Sequence, residues 1–407
     1  MHQRVRHVGA AFVGLVAVGS LLLGACGSDS NDDAAATTTT AAAAGAYDQA
    51  LATEVVENYA DGVYSSYDTS LTSATAMQTA INAFVAAPTD ATLEAARTAW
   101  LKARPDYGQT EAFRFYGGPI DNEEDGPEGL INAWPLDEAY IDYVEGNPTS
   151  GIVNDPATYP EITAEVLTTA NEEGGETNIS TGWHAIEFLL WGQDLSATGP
   201  GARPVTDYTT APNADRRAAY LTTVTDLLVE DLTTVTEAWN PDETGNYRAD
   251  FLALPTDESL TNIITGIGEL GRGELAGERM TVAYEERDQE NEHSCFSDNT
   301  LADIAANEQG IVNVWTGTYP GGVSGKGLVE LVASVDDALA DQTTADMDAV
   351  QAEIAKIPAP FDQWLTTDAD DASVGRVAIL STTELLSTQT DDIVAAAEAL
   401  GLTIEVS

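Results

Sequence analysis

The sequence predicts an all-α protein made of two helical-bundle domains related by internal duplication. Three observations lead there. Apolar residues recur at helical spacing over most of the chain, and alternating strand patterns bounded by hairpin turns are nearly absent. Short motifs in one half can also be laid on the other: 110–115 on 291–296, and 182–188 on 325–331. In the second pairing Gly327 stands at the position of His184 and Glu330 at that of Glu187.

Taken in order, residues 1–25 carry the marks of a bacterial export signal, with Arg4 and Arg6 ahead of an uncharged apolar run. The run ends in Leu23-Gly24-Ala25-Cys26, which resembles a lipoprotein signal-peptidase box. Cys26 would take the lipid and become the new N-terminus, holding the protein on the extracytoplasmic face of a bacterial cell membrane without a spanning helix. An ordinary signal peptide or a single membrane anchor is the alternative. Residues 26–46 form an Ala/Thr-rich tract that cannot bury a core and is expected to be a disordered tether. With Cys26 lipidated, Cys295 is the one cysteine left, so the fold must rely on its core and not on a disulfide.

Helices are predicted over 47–67, 69–86 and 90–104, punctuated by Pro88 and Pro105, then over 160–171 and 182–191. They make up a first domain, 47–196. The Gly/Pro-rich stretch 197–212 is expected to link it to a second domain, 213–407, with helices over 214–239, 260–285, 300–315, 327–339, 346–357 and 374–400. Sixteen Lys and Arg against 67 Asp and Glu give a formal charge of −51. So acidic a chain lacks the clustered cations that nucleic-acid binding needs. The charge fits a salty habitat or the long-range gathering of cations.

The chemistry concentrates in Gly182-Trp183-His184-Ala185-Ile186-Glu187-Phe188-Leu189-Leu190-Trp191-Gly192, where Ser180 or Thr181 could cap the helix. His184 and Glu187, three apart, share one helical face above Trp191, while Trp183, Ile186 and Leu190 form an adjacent apolar stripe. The order is not the His-Glu-x-x-His of zinc proteases. A hydrogen-bonded structural couple is the plainer reading of such a pair.

Gly182-x-His184-x-x-Glu187 resembles the signature of the imelysin-like family, also called peptidase family M75, which includes iron-regulated protein A. Two further stretches agree with it in order: 107–121, containing Glu111, Arg114 and Asp121, and 290–300, containing Glu292, His293 and Asp298. The resemblance covers about residues 47 to 402. It implies two duplicated helical bundles, exported or lipid-anchored, in proteins of bacterial iron acquisition, some of them labelled metallopeptidases.

As metal ligands, Glu111 and Asp121 could converge on His184 and Glu187. One imidazole with several carboxylates is a hard set, suited to iron or manganese more than to structural zinc. Arg114 could instead pair with Glu111 or Asp121, making the carboxylates a metal-free network. Arg114, Glu292, His293 and Asp298 compose a second candidate group. Ser294 beside His293 makes no catalytic triad, and Cys295 reads as a small buried side chain. The Gly-x-Gly-x-x-Gly of 266–271 follows a helical stretch and not a strand, so it reads as close helix packing.

Two functions follow as expectations. One is a lipid-anchored iron-acquisition protein binding iron, a chelate or haem near the domain junction, or docking to other uptake proteins. The scarcity of Met and His places free iron or a chelate ahead of haem. The other is a metallopeptidase using His184 and Glu187, although with both as ligands no base is evident. A surface-binding protein whose His–Glu network is structural is the third reading.

Overall fold

The stripe expected to form two N-terminal helices folds as one. In the computed structural model, which describes residues 47–407, α1 runs unbroken over Gln49–Ala86, and Asp48 accepts from Ala50 N at 2.9 Å to cap it. The break expected near residue 68 is absent: no Gly or Pro lies between Val63 and Met77, and the buried stripe Val63, Tyr67, Ala74 and Met77 continues across it. The expected signal 1–25, Cys26 and tether 26–46 lie outside the described residues.

α2, Asp90–Gly108, opens on a reciprocal capping box between Thr89 and Thr92 and continues through Pro105, where an end was expected. Proline deprives only the Leu101 carbonyl of its donor, and Leu101 is exposed, so water can serve it. α3 is Gly182–Trp191 and α4 is Ala214–Ala238. α5, Thr256–Glu269, runs on into a widened π-helical segment, Leu270–Thr281, and then into Val282–Glu286. α6 is Thr300–Thr316, α7 Asp337–Ile354 and α8 Val374–Ala399. The helix expected over 327–339 is divided, because Asp336 caps α7 by accepting from Leu339 N at 3.1 Å and leaves Leu328–Ala333 as a short helix. The described residues contain no β-strand, only two isolated bridges, and no helix long and apolar enough to cross a membrane. The all-helical prediction is correct.

α1 packs on α2, α4 and α5, α3 lies between α2 and α4, and α7 and α8 pack together beside the π-helical segment. A large apolar core draws on both predicted domains, from Val55 and Trp100 through Leu228 and Ile263 to Trp315 and Ile393. A smaller core uses residues between Leu275 and Leu386. The partition at 197–212 therefore does not coincide with a break in packing, and the described residues belong to one compact unit. The resemblance of 182–188 to 325–331 does not extend to helix register either. His184 lies within α3, whereas Gly327 precedes its helix and donates its backbone N–H to Glu330 at 2.9 Å. Close packing does account for the 266–271 glycines: a Cβ on Gly266 would lie 2.8 Å from Ala112 O, and one on Gly271 2.9 Å from Thr390 Oγ1.

The expected linker is a packed strap. It contains the 3₁₀ turn Val205–Tyr208 and inserts Arg203, which donates to Asp142 at 2.7 Å and to Asp207 at 3.0 Å. Arg217 of α4 grips the same Asp142 through Nε at 2.5 Å and Nη2 at 2.9 Å. All of these groups are buried. Burial alone would raise the Asp142 pKa, but Arg217 and Arg203 hold it below the usual range. Removing a buried carboxylate strands its cations, so Asp142→Ala is expected to cost about 3–5 kcal/mol in denaturant unfolding. The exposed Lys102→Ala should stay within about 0.5 kcal/mol of the parent.

Candidate functional site

α3 is buried on every side, which a helix tolerates only inside a protein. Its seat requires Gly182: φ is +83°, and a Cβ there would fall 2.4 Å from Ile131 O. The hydroxyls expected to cap it are used elsewhere. Ser180 Oγ donates to Leu167 O at 2.7 Å and Thr181 Oγ1 to Asn171 at 3.2 Å.

From this helix His184 and Glu187 meet as their spacing predicts, Nδ1 to Oε2 at 2.9 Å. The other oxygen of Glu187 accepts from the backbone N–H of Ser297 at 2.9 Å and from its hydroxyl at 2.7 Å. The Nε2 of His184 faces the Nε2 of His293 at 3.0 Å, with ring planes at 69°. His293 Nδ1 lies 2.9 Å from Asp303, in the first turn of α6. Asp303 also accepts from Arg104 Nε at 3.3 Å, Ser294 Oγ at 2.5 Å and Asn299 Nδ2 at 3.0 Å. Arg104 Nη2 is almost equidistant from the two His293 nitrogens, 3.4 and 3.3 Å, which places it over the ring and not on a lone pair. The Trp134 ring lies beside both imidazoles, tilted to His184 with centroids 4.7 Å apart and edge-on to His293 at 6.2 Å.

The result is a buried row, Glu187–His184–His293–Asp303, with a carboxyl group behind each imidazole. Burial, then His293 and Arg104, push His184 well below its ordinary pKa; burial, then Arg279 and Arg104, do the same to His293. Both rings are therefore neutral near pH 7. Burial raises Glu187 to about 8. A protonated Glu187 donates to His184 Nδ1, His184 Nε2–H to His293 Nε2, and His293 Nδ1–H to Asp303, so every group is satisfied. Removing the Glu187 proton turns the His184 Nδ1–H toward the carboxylate and leaves two Nε2 lone pairs facing one another. Such a pair calls for a shared proton or a metal ion, and a carboxylate behind a ligating imidazole is the usual arrangement around metals.

The other predicted residues fall into separate groups. Glu111 is buried beneath this row and bound to Arg279, to Arg114 at 3.3 Å and to Asn307 at 3.2 Å. Burial would raise it, but Arg279, Arg104 and Arg114 hold it at about 2. Asn132 joins the layers, accepting from Arg104 at 2.6 Å and donating to Glu111 at 3.4 Å. Arg114 pairs with Glu111 and, at 3.1 Å, with Glu128, as the network reading expected. Asp121 accepts from the Phe115 N–H and closes its own turn instead of joining the histidines. Asp298 groups with Asp194 and Asp362. Glu292 and Cys295 are buried, as expected for the cysteine. A cleft of about 400 Å³, lined by Arg114, Asn132, Trp134, Glu274, Arg279 and His293, reaches the His293 side of the row.

Fold and site define a helical protein with a buried histidine–carboxylate centre beneath a cleft. The chain belongs to the imelysin family, peptidase family M75, whose model matches residues 63–389. It is 26% identical over 353 residues to iron-regulated protein A of Synechococcus elongatus, covering 84% of this chain and 85% of that one. Two solved structures share the fold. A candidate iron-regulated protein A precursor from Parabacteroides distasonis superimposes with a TM-score of 0.64 at 19% identity, over 85% of this chain and 96% of that one. An imelysin-like protein from Psychrobacter arcticum gives 0.63 at 16%, over 88% and 99%.

Sequence reasoning missed Arg104, Asn132, Trp134, Arg279, Ser297 and Asp303. Two of these had a signal. Arg104 occupies the apolar face of α2 with Trp100 and Tyr107, and Asp303 precedes Ile304, Ile311 and Val314 on α6, so each is a charge placed where a core residue belongs.

The Glu187 proton has a consequence for stability. Because its pKa rises from an ordinary 4.5 to about 8 on folding, its contribution is full in acid and is lost as pH climbs toward 8. Glu187→Gln keeps a donor for His184 and an acceptor for Ser297 without titrating. We expect it to fold and to lose less stability than the parent between pH 5 and 8 in denaturant melts. An equal slope would show that Glu187 is ionised throughout. Glu187→Ala, which orphans buried partners, should cost about 1–3 kcal/mol.

Proposed function

We propose that this protein is an exported, lipid-anchored component of bacterial iron acquisition that binds iron, free or as a small chelate, at His184 and His293. The observation that carries the reading is the pair of Nε2 atoms 3.0 Å apart, each ring backed by a carboxyl group. Imidazole nitrogens suit iron, and the carboxyl groups at Nδ1 would fix ring orientation and raise ligand basicity. Glu187 then serves as the orienting partner of His184, not as the direct ligand its spacing first implied, and Asp303 does the same for His293. Two protein donors leave most of the coordination sphere to ligands that arrive with the metal. The cleft beside Arg114 and Arg279 offers room for an anionic chelate. Iron comes first among metals because a relative spanning most of the chain is named an iron-regulated protein. Export and the anchor rest on Arg4, Arg6, the apolar run and Cys26.

Binding is favoured over peptide cleavage by the position of the carboxylates. Glu187 and Asp303 both face Nδ1 atoms, away from the Nε2 pair, so neither is placed to activate a water there.

The test is iron content and affinity of the protein beside His184→Ala, His293→Ala and Glu187→Gln, with an unfolded protein offered as peptidase substrate. One iron per chain is expected, abolished in either histidine variant and weakened about 10–100-fold in Glu187→Gln. The substrate should remain intact. Folded histidine variants that keep their iron would sink the site, and cleavage lost with those histidines would establish the peptidase reading. Lipid incorporation should disappear in Cys26→Ala.

A further inference from the structure

A second cluster stands apart from the histidines and contains no nitrogen donor. Asp194 follows α3, Asp298 ends the loop that carries His293 and Ser297, and Asp362 begins the turn Asp362–Trp364. One carboxylate oxygen from each lies within 4.8 Å of the other two. Asp194 and Asp362 are buried and Asp298 is partly so. Two are held by one oxygen each: Asp194 Oδ1 accepts from Ser196 N at 2.9 Å, and Asp362 Oδ1 from Gln363 N at 2.9 Å. The remaining oxygens, Asp194 Oδ2, Asp362 Oδ2 and Asp298 Oδ1, are buried with no hydrogen-bond partner.

An unpaired buried carboxylate is costly, and several sharing one space repel one another as well. The cluster must be neutralised by protons or by a cation. Anchoring one oxygen each of Asp194 and Asp362 leaves the other free, and the three carboxylates stand close enough to share one ion. An all-oxygen, multiply anionic set drawn from separate chain segments matches calcium, which takes six to eight oxygens at about 2.3–2.6 Å in adaptable geometry. A single ion at that radius spans oxygens 4.8 Å apart.

We propose that Asp194, Asp298 and Asp362 bind a calcium ion that clips the loop after α3 and the segment before α8 to the loop bearing His293 and Ser297. The ion acts as a structural clamp on the loop that completes the histidine site. It is separate from the iron reading, since none of its ligands touches His184 or His293.

The experiment is calorimetric titration of the chelator-treated full chain with calcium chloride, with thermal unfolding at each calcium level. The parent is compared with an Asp194→Asn/Asp362→Asn double variant and with His184→Ala. We expect one calcium per chain, with a Kd of about 10⁻³ M or tighter and a rising unfolding temperature. The double variant sheds like charges, so it should fold without calcium and lose at least tenfold in calcium affinity. His184→Ala should bind calcium as the parent does. A parent that takes up no calcium, its carboxyls neutralised by protons, would overturn the proposal. So would a double variant that binds as tightly as the parent.

Discussion

The carboxylate of Asp303 is the point on which the interior depends. It is buried, and it collects hydrogen bonds from Arg104 on α2, from Ser294 and Asn299 in the loop before α6, and from the ring of His293. In a low-dielectric interior a buried carboxylate needs its lone pairs filled, and here they are filled from α2 and from the loop before α6. Its place in the first turn of α6 adds the favourable end of a helix dipole. Because Asp303 orients His293, and His293 meets His184, the same carboxylate determines whether the two imidazoles face each other at all.

Around that point the few cations of the chain are placed with economy. Arg104, Arg203, Arg217, Arg279 and Arg376 are all buried, each against carboxylates or carbonyls, in a chain with only 16 Lys and Arg. Arg203 and Arg217 clamp the strap through Asp142, while Arg279 and Arg104 support the histidine layer through Glu111 and Asp303. The strongly acidic surface follows from 67 Asp and Glu against 16 Lys and Arg, and burying these guanidiniums accentuates it. The widened helical segment Leu270–Thr281 belongs to the same design: it delivers Arg279 to Glu111 and Asn307, and π-helical turns often mark such positions.

Three electrostatic layers result. One is ionic and balanced, around Glu111 and Arg279. One is neutral, with two uncharged imidazoles and a carboxyl group that keeps its proton to about pH 8. The last is acidic and lacks a counter-charge, around Asp194 and Asp362. In the proposed binding, loss of the Glu187 proton would offset one unit of the incoming metal's charge. Cleavage would need a base beside the Nε2 pair, and the carboxyl groups stand behind the rings instead.

Local chemistry was legible in the sequence. Helical periodicity fixed α3, α4, α6 and α8 to within a residue or so, and the three-residue spacing placed His184 beside Glu187, because both depend only on helix geometry. Some boundaries differed for local reasons: α2 passed through Pro105, α1 did not break near residue 68, and Asp336 divided the helix expected over 327–339, starting α7 at Asp337 and not at 346. Tertiary structure alone decided that His184 meets His293, that Asp121 stays in its own turn, that residues 197–212 pack as a strap, and that Asp298 joins Asp194 and Asp362. Those outcomes depend on which buried polar groups find one another across long stretches of chain. A sequence states which residues carry charge, but the cost of leaving a buried charge unpaired is settled only when distant segments pack together.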